Sequence, residues 1–302
     1  MNLDDREFSD TVAELAELRG LLDESYQLTR RPDNWLFGRL EDWKYGGNAL
    51  RAKLNPRFFA ERARLWRAGG RLVGFCIAEY DQPEIYLQVH PEYHAIEPTM
   101  LDWAERVWAR GLPEVSVFAF DHDTQRRALL ASRGYTHAVP SGILRSFDLA
   151  RERAPAPLPP GFRVGSLADD TNVASHIAAV AETFGNTSLG QEWFDSKRRG
   201  PCYEPAWDMA VLAPGGEHAA FLLARLDRRN RVAEIDPIGT RPAFQRLGLA
   251  KALVSECFRR LAAAGIERAF IGSGPEPAVG NRLYEALAPA GRYYERRWLK
   301  AL

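Results

Sequence analysis

The residues best placed to do chemistry lie between Ala233 and Ala250, in the run Ala-Glu-Ile-Asp-Pro-Ile-Gly-Thr-Arg-Pro-Ala-Phe-Gln-Arg-Leu-Gly-Leu-Ala. An apolar, strand-like stretch leads into a turn, and the turn opens directly into an amphipathic helix. Gln245, Gly248 and the small Ala250 stand at that junction. A helix N-terminus presents unpaired backbone N–H groups and a partial positive charge. A glycine there lets a ligand come close to the backbone. The spacing therefore predicts a pyrophosphate seat. It is not a Walker loop, because no Gly-Lys-Ser/Thr follows, and it is not a Gly-x-Gly-x-x-Gly turn.

Gln245-Arg-Leu-Gly248-Leu-Ala250 resembles the acetyl-CoA signature of the GCN5-related N-acetyltransferases, Arg/Gln-x-x-Gly-x-Gly/Ala. Pro242 stands three residues before Gln245, as is common in that family. Downstream, Asn281-Arg-Leu-Tyr284 resembles the family's Asn-x-x-Tyr helix. The likeness is good over residues 215–298 and fainter elsewhere. It implies acetyl-CoA as co-substrate and no metal. The pyrophosphate would rest on the backbone of Gln245, Arg246, Leu247, Gly248, Leu249, Ala250 and Lys251. Ile238, Gly239 and Thr240, on the strand exit, would pair with the pantetheine arm, and an N–H there would polarise the thioester. Pro237 fits interrupted pairing at this point.

Moving an acetyl group from a thioester to an amine needs an anchor for the cofactor and a donor to the carbonyl. It also needs a base for the amine and an acid for the departing thiolate. Tyr284 is the expected acid, and Asn281, one turn earlier on the same side, is expected to bind the CoA arm. Glu234 is the expected general base, acting directly or through a water. Strand alternation puts Glu234 and Asp236 on one face, and a carboxylate beside an apolar cleft is tuned towards taking a proton. Asp236, beside Pro237, reads as a turn former.

The elements that must position these residues read as follows. Strands are expected at Ala219–Leu226, Val232–Ile238, Arg268–Ile271 and Tyr293–Leu299. Helices are expected at Asp169–Phe184, Gly248–Ala264 and Asn281–Leu287. Leu249, Leu253, Val254, Cys257, Phe258 and Leu261 form one apolar stripe, and Gly265 is a C-terminal stop. The first half repeats this order, with helices at Thr11–Ser25, Pro98–Ala109 and Thr124–Ser132. Its strands are Arg71–Glu79, Glu84–Val89 and Val115–Phe120, with a turn at Gln82-Pro83. The Pro-rich stretch from Arg151 to Gly161 reads as a linker. The expected fold is thus α/β (α+β), with two tandem acetyltransferase-like domains at 1–150 and 162–302. Each would be a mixed central β-sheet flanked by helices.

The halves are not chemically equivalent. Pro91 stands where Pro242 does, so equal counting places His94, Glu97 and Thr99 where Gln245, Gly248 and Ala250 stand. A carboxylate at 97 would repel a pyrophosphate, and Pro98 lacks an N–H. Leu130 falls at the tyrosine position. The first half is therefore expected to be a degenerate copy, structural or acceptor-binding, with one CoA per chain.

Composition excludes several classes. Lys+Arg and Asp+Glu are both 40 in 302 residues, which argues against general nucleic-acid or anionic-membrane affinity. Cys76, Cys202 and Cys257 are too few and scattered for a disulfide framework or a cysteine-rich zinc site. His90 and His94 look like a metal pair but lack a third ligand nearby. No apolar run reaches membrane-spanning length, and the N-terminus lacks a signal core, so a cytoplasmic protein is expected. The acceptor is expected to be a small-molecule amine, or a peptide, bound where the halves meet. The aromatics Trp35, Phe37, Trp43, Phe184, Trp193, Phe194 and Tyr203 are read as packing residues, with pocket lining as the alternative. The rival readings are a non-catalytic acyl-CoA sensor and a structural interaction protein.

Overall fold

The structure is a computed structural model that describes residues 3–79, 83–151, 156–170, 172–278 and 280–302. Gln82 of the expected turn and part of the expected linker lie outside these residues. In the first half, strands β1 (Leu3–Glu7), β2 (Ala63–Ala68), β3 (Arg71–Ile77), β4 (Glu84–Val89), β5 (Glu114–Phe120) and β6 (Thr136–Asp148) are interspersed with α-helices. These are α1 (Val12–Thr29), α2 (Phe37–Tyr45), α3 (Asn48–Leu54), α4 (Phe58–Glu61), α5 (Glu97–Trp103) and α6 (Thr124–Ser132). The second half contributes β7 (Arg163–Ser166), β8 (Asp208–Leu212), β9 (His218–Asp227), β10 (Val232–Thr240), β11 (Arg268–Ser273) and β12 (Gly291–Ala301). Its helices are α7 (Val173–Phe184), α8 (Gln191–Lys197), α9 (Leu249–Ala263) and α10 (Asn281–Ala286).

Among the described residues the twelve strands join in one mixed sheet, in the order β1-β2-β3-β4-β5-β12-β6-β11-β10-β9-β8-β7. The middle of this order is where the two halves meet. The last strand of the chain, β12, lies antiparallel to β5 of the first half, with Glu295 opposite Phe120. The last strand of the first half, β6, lies antiparallel to β11 of the second, with Arg268 opposite Asp148. Each half thus completes the other's sheet by exchanging its final strand, and β6 and β12 pair with each other between them. Strand β6 was not anticipated from the sequence. Its segment contains Pro140 and Gly142, which weaken a strand pattern, and its pairing partners lie far along the chain.

Helix α9 shows how the local sequence sets the frame. Its predicted stripe (Leu249, Leu253, Val254, Cys257, Phe258, Leu261) is fully buried against β8, β9 and β10. Burial of each such large side chain contributes about 1.5–3 kcal/mol. The helix stops where expected, at Gly265, whose φ of 81° lets Ile266 N–H reach back to Leu261 O at 3.0 Å. Across the halves, Tyr26 and Leu36 of the first pack with Val232 and Phe270 of the second. Among the described residues no helix is long and apolar enough to cross a membrane.

Candidate active site

Strands β10 and β11 run parallel, but they pair only where Val232–Glu234 face Arg268–Phe270. Beyond that point β10 stays with β9 and β11 stays with β6, so the sheet opens into a wedge. A bulge between Ile235 and Ile238 accompanies the opening. On one side of the wedge is a cleft of about 860 Å³, lined by Ile238–Thr240 of β10, by Gln245, Arg246 and Gly248–Lys251 of the turn, and by Tyr284. Next to it, a pocket of about 400 Å³ lies where the halves meet.

The turn builds an anion seat from backbone. Gly248 takes the left-handed conformation (φ 77°), and Arg246 does so too (φ 65°). No side chain caps α9. The first bond into the helix runs from Ala252 N–H to Gly248 O at 3.1 Å, leaving the amides of Leu249, Ala250 and Lys251 without a place in the ladder. Three free amides at the positive end of a helix of 15 residues suit a pyrophosphate. Gln245 folds back to Thr240 O (3.4 Å) and so ties the turn to the strand exit. Leu247 differs from its neighbours, because its side chain is exposed and does not line the cleft.

Gly239 is held by packing. A Cβ there would stand 2.7 Å from Phe221 Cε1 and 2.7 Å from Thr183 Cγ2. Phe184, one of the aromatics read as packing, is instead half exposed at the edge of the cleft.

Tyr284 lies under the cleft, with its ring against Gly280, where a Cβ would meet Cε2 at 2.8 Å. Its hydroxyl has no hydrogen-bonding partner among the described residues. Burial and the nearby Asp236 carboxylate push its pKa up to about 12, with the Arg145 guanidinium pulling the other way. The phenol therefore keeps its proton at neutral pH. Asn281 is buried, and its Oδ1 accepts from Ser273 Oγ (2.6 Å) while Nδ2 has no partner among the described residues. A buried donor left open in this way is available to a ligand.

The second pocket is rich in carboxylates. Asp42, Glu79, Glu234, Asp236 and Glu295 line it, against a single cationic lining residue among the described ones, Arg39. Glu234 is 9 % exposed and sits beneath the N-terminus of α2, where Arg39 N–H donates to Oε2 at 3.2 Å. Gly38 makes this possible, because any Cβ there would strike the Glu234 carboxylate. Burial and the neighbouring Asp236 raise Glu234 to about 8, against the weaker opposing pull of Arg225 and Arg39. Asp236 opens into the pocket rather than closing a turn. The protein around it and the Asp42 carboxylate raise its pKa as well.

Arg39 lies over Trp35 and Tyr86, at 4.8 and 4.4 Å from the ring centroids, and its Nε and Nη2 donate to Glu79 at 3.1 and 2.6 Å. Trp35 therefore lines the pocket, while Phe37 and Trp43 are core. Arg225 of β9 binds Asp42 of α2 and reaches Asp236 O at 3.2 Å, joining the first half to the bulge.

Sequence reasoning thus missed Arg39, Asp42, Arg225, Glu79, Glu295 and Arg145. One of these carried a readable signal. Ile143, Arg145 and Phe147 alternate as one buried row of β6, continued by Leu149 just past its end, and Arg145 is the charged member.

The corresponding wedge of the first half is filled by the chain itself. Strands β4 and β5 pair at Glu84–Ile85 and then part. Asn34 Nδ2 donates to Val89 O at 2.8 Å, and its Oδ1 accepts from Val89 N–H at 3.1 Å. Arg126 donates to Leu87 O at 3.2 Å and to Glu97 at 3.0 Å. The expectation that Glu97 would face a phosphate seat is corrected here. Its carboxylate is 1 % exposed, paired with Arg126 and His94, and held near 2 despite the cost of burial. Leu130 is fully buried. His90 and His94 are engaged with Arg71 and Glu97, and no cluster of metal-ligand type occurs among the described residues.

Residues 176–288 match the model of the acetyltransferase (GNAT) family. Over 243 residues the chain is 28% identical to the mycothiol acetyltransferase of Streptomyces scabiei, covering 75% of each protein. The protein of the same name from Streptomyces coelicolor is 26% identical over 72% of this chain and 73% of that one. In fold, the chain resembles a tandem GNAT protein from the clavulanic acid biosynthesis pathway, with a TM-score of 0.67 and 13% identity, covering 99% and 98% of the two chains. It also resembles a GCN5-related N-acetyltransferase from Sphaerobacter thermophilus, with a TM-score of 0.63 and 18% identity over 98% and 95%.

Proposed function

The chain is a protein of the GNAT superfamily with a tandem fold, and from that premise we propose that it transfers an acetyl group from acetyl-CoA to the primary amine of a small, positively charged acceptor. One observation carries the reading. The cofactor-sized cleft and the acidic pocket border successive stretches of β10, with Ile238–Thr240 lining one and Glu234 and Asp236 lining the other.

The residues present fit the cofactor. The free amides of Leu249–Lys251 would hold the pyrophosphate, Gly248 would give it access, and Arg246 and Lys251 would add charge. The edge of β10 beyond the bulge would pair with the pantetheine arm, and Asn281 Nδ2 would supply a further donor. The bound cofactor provides an activated acyl group and a thiolate leaving group. The acidic pocket attracts and orients an ammonium. Glu234, poised near 8, accepts the proton that the amine loses as the C–N bond forms. Tyr284 gives its proton to the sulfur as the C–S bond breaks, and solvent restores it. The first half serves as the acceptor-binding half, through Trp35, Arg39 and Glu79, and takes no cofactor of its own.

The test is thiol release from acetyl-CoA with a panel of monoamines, diamines, amino sugars and peptide N-termini. The expected result is turnover with cationic amines that falls about 100-fold or more in Tyr284→Phe. Binding of acetyl-CoA with no turnover across the panel would favour a sensor instead. Absence of both binding and turnover would leave a structural protein.

A further inference from the structure

Resting on that reading, we propose that Arg145, carried into the second half by the exchanged strand β6, is a positioning residue for the leaving-group side of the reaction. Arg145 stands opposite Ile271 of β11 on one side and Arg292 of β12 on the other. Its side chain is fully buried. Nη1 donates to Ser273 Oγ at 2.8 Å, and Ser273 Oγ in turn donates to Asn281 Oδ1 at 2.6 Å. Nε donates to Glu285 Oε1 at 2.7 Å. The guanidinium carbon lies 5.9 Å from the centre of the Tyr284 ring. One cation from the first half thus touches or orients three residues of α10, a helix of six residues that cannot hold its own shape.

The chemistry follows from the donor inventory. The hydroxyl of Ser273 accepts from Arg145 and has two acceptors in reach, Asn281 Oδ1 at 2.6 Å and Ile143 O at 3.5 Å, and the far shorter bond assigns its proton to Asn281. That fixes the Asn281 amide with its oxygen occupied and its N–H₂ turned outward, the orientation in which it can donate to a ligand. The positive charge beside Tyr284 opposes the Asp236 carboxylate and keeps the phenol a stronger acid than burial alone would leave it. A buried guanidinium is costly to keep. Its salt-bridge partner, Glu285, is itself shared with Arg292. The tandem arrangement therefore has a chemical role, because the second half's acid is set by a residue of the first.

The experiment is a double-mutant cycle in the full chain, read as kcat and KM for acetyl-CoA. It uses Arg145→Met, Arg145→Lys, Tyr284→Phe and the Arg145→Met/Tyr284→Phe double variant. Arg145→Met should lower kcat by about 10-fold or more with a change in KM of less than about threefold, and Arg145→Lys should recover a large part of it. In the Tyr284→Phe background the same Arg145→Met substitution should change kcat by less than about twofold. An equal loss in both backgrounds would overturn the proposal, and so would a lysine variant that folds yet is as slow as the methionine one. If Arg145→Met does not fold, Arg145→Lys and its combination with Tyr284→Phe carry the comparison. A Tyr284→Phe protein with unchanged kcat would instead overturn the underlying assignment of the acid, whatever Arg145 does.

Discussion

Replacing Glu234 by glutamine should make the protein more stable and less active, and the size of the gain should depend on pH. Glu234 is raised from 4.5 to about 8, chiefly by burial and by Asp236. The folded protein therefore holds a proton that the unfolded chain releases between those values. The group's contribution is intact below about pH 4.5, is lost progressively as pH rises through the window, and is flat above about 8. At ~1.4 kcal/mol per unit the loss approaches ~3 kcal/mol at pH 7 and ~5 kcal/mol above pH 8. Part of the field comes from Asp236, so these figures are upper limits. Glutamine keeps the carbonyl that accepts from Arg39 N–H and has no charge to bury. Thermal and urea melts of both proteins from pH 4.5 to 8.5 should give curves that meet at the acid end. At pH 8 the variant should melt higher by roughly 5–10 °C, while kcat falls by about 100-fold or more. Stability differences that stay constant across this range would refute the burial argument, and an unchanged kcat would refute the assignment of the base.

Two glycine substitutions probe the geometry of β10 from opposite sides. Gly239→Ala should cost about 1–3 kcal/mol in stability, because the new methyl overlaps Phe221 and Thr183 in a packed region. A melting temperature unchanged within error would show that the strand exit is not held by that packing. Gly38→Ala pushes on the Glu234 carboxylate rather than on core, so it should lower kcat by about 10-fold with a smaller effect on melting. Wild-type turnover in that variant would show that Glu234 does not need the space under α2.

The local signals were legible in the sequence because they depend on near neighbours. The Gln245–Ala250 turn, the stripe of α9 and the stop at Gly265 each follow from spacing along one segment, and each was found where expected. The alternation of Glu234 and Asp236 correctly placed both on one face, since both line the acidic pocket. What escaped was set by partners far along the chain. Strand β6 finds its place only through β11 and β12, and with it Arg145 reaches the site. Asp236 read as a turn former because a bulge, unlike a turn, is defined by the strand opposite. Glu97 was expected to repel a phosphate, but its partner Arg126 lies 29 positions away and turns it inward. The closure of the first half's wedge by Asn34 could not be read from a motif, since it depends on one side-chain amide meeting the backbone of β4.

The central claim is that a single cofactor site exists, on the turn before α9. Calorimetric titration of the full chain with acetyl-CoA measures it directly. The account predicts one equivalent bound per chain and loss of that binding in Gly248→Asp. That position is open around its Cβ, and aspartate, which enters the left-handed region more readily than most residues, places a negative charge at the seat. Two equivalents per chain, or one equivalent that survives Gly248→Asp in a folded protein, would contradict it.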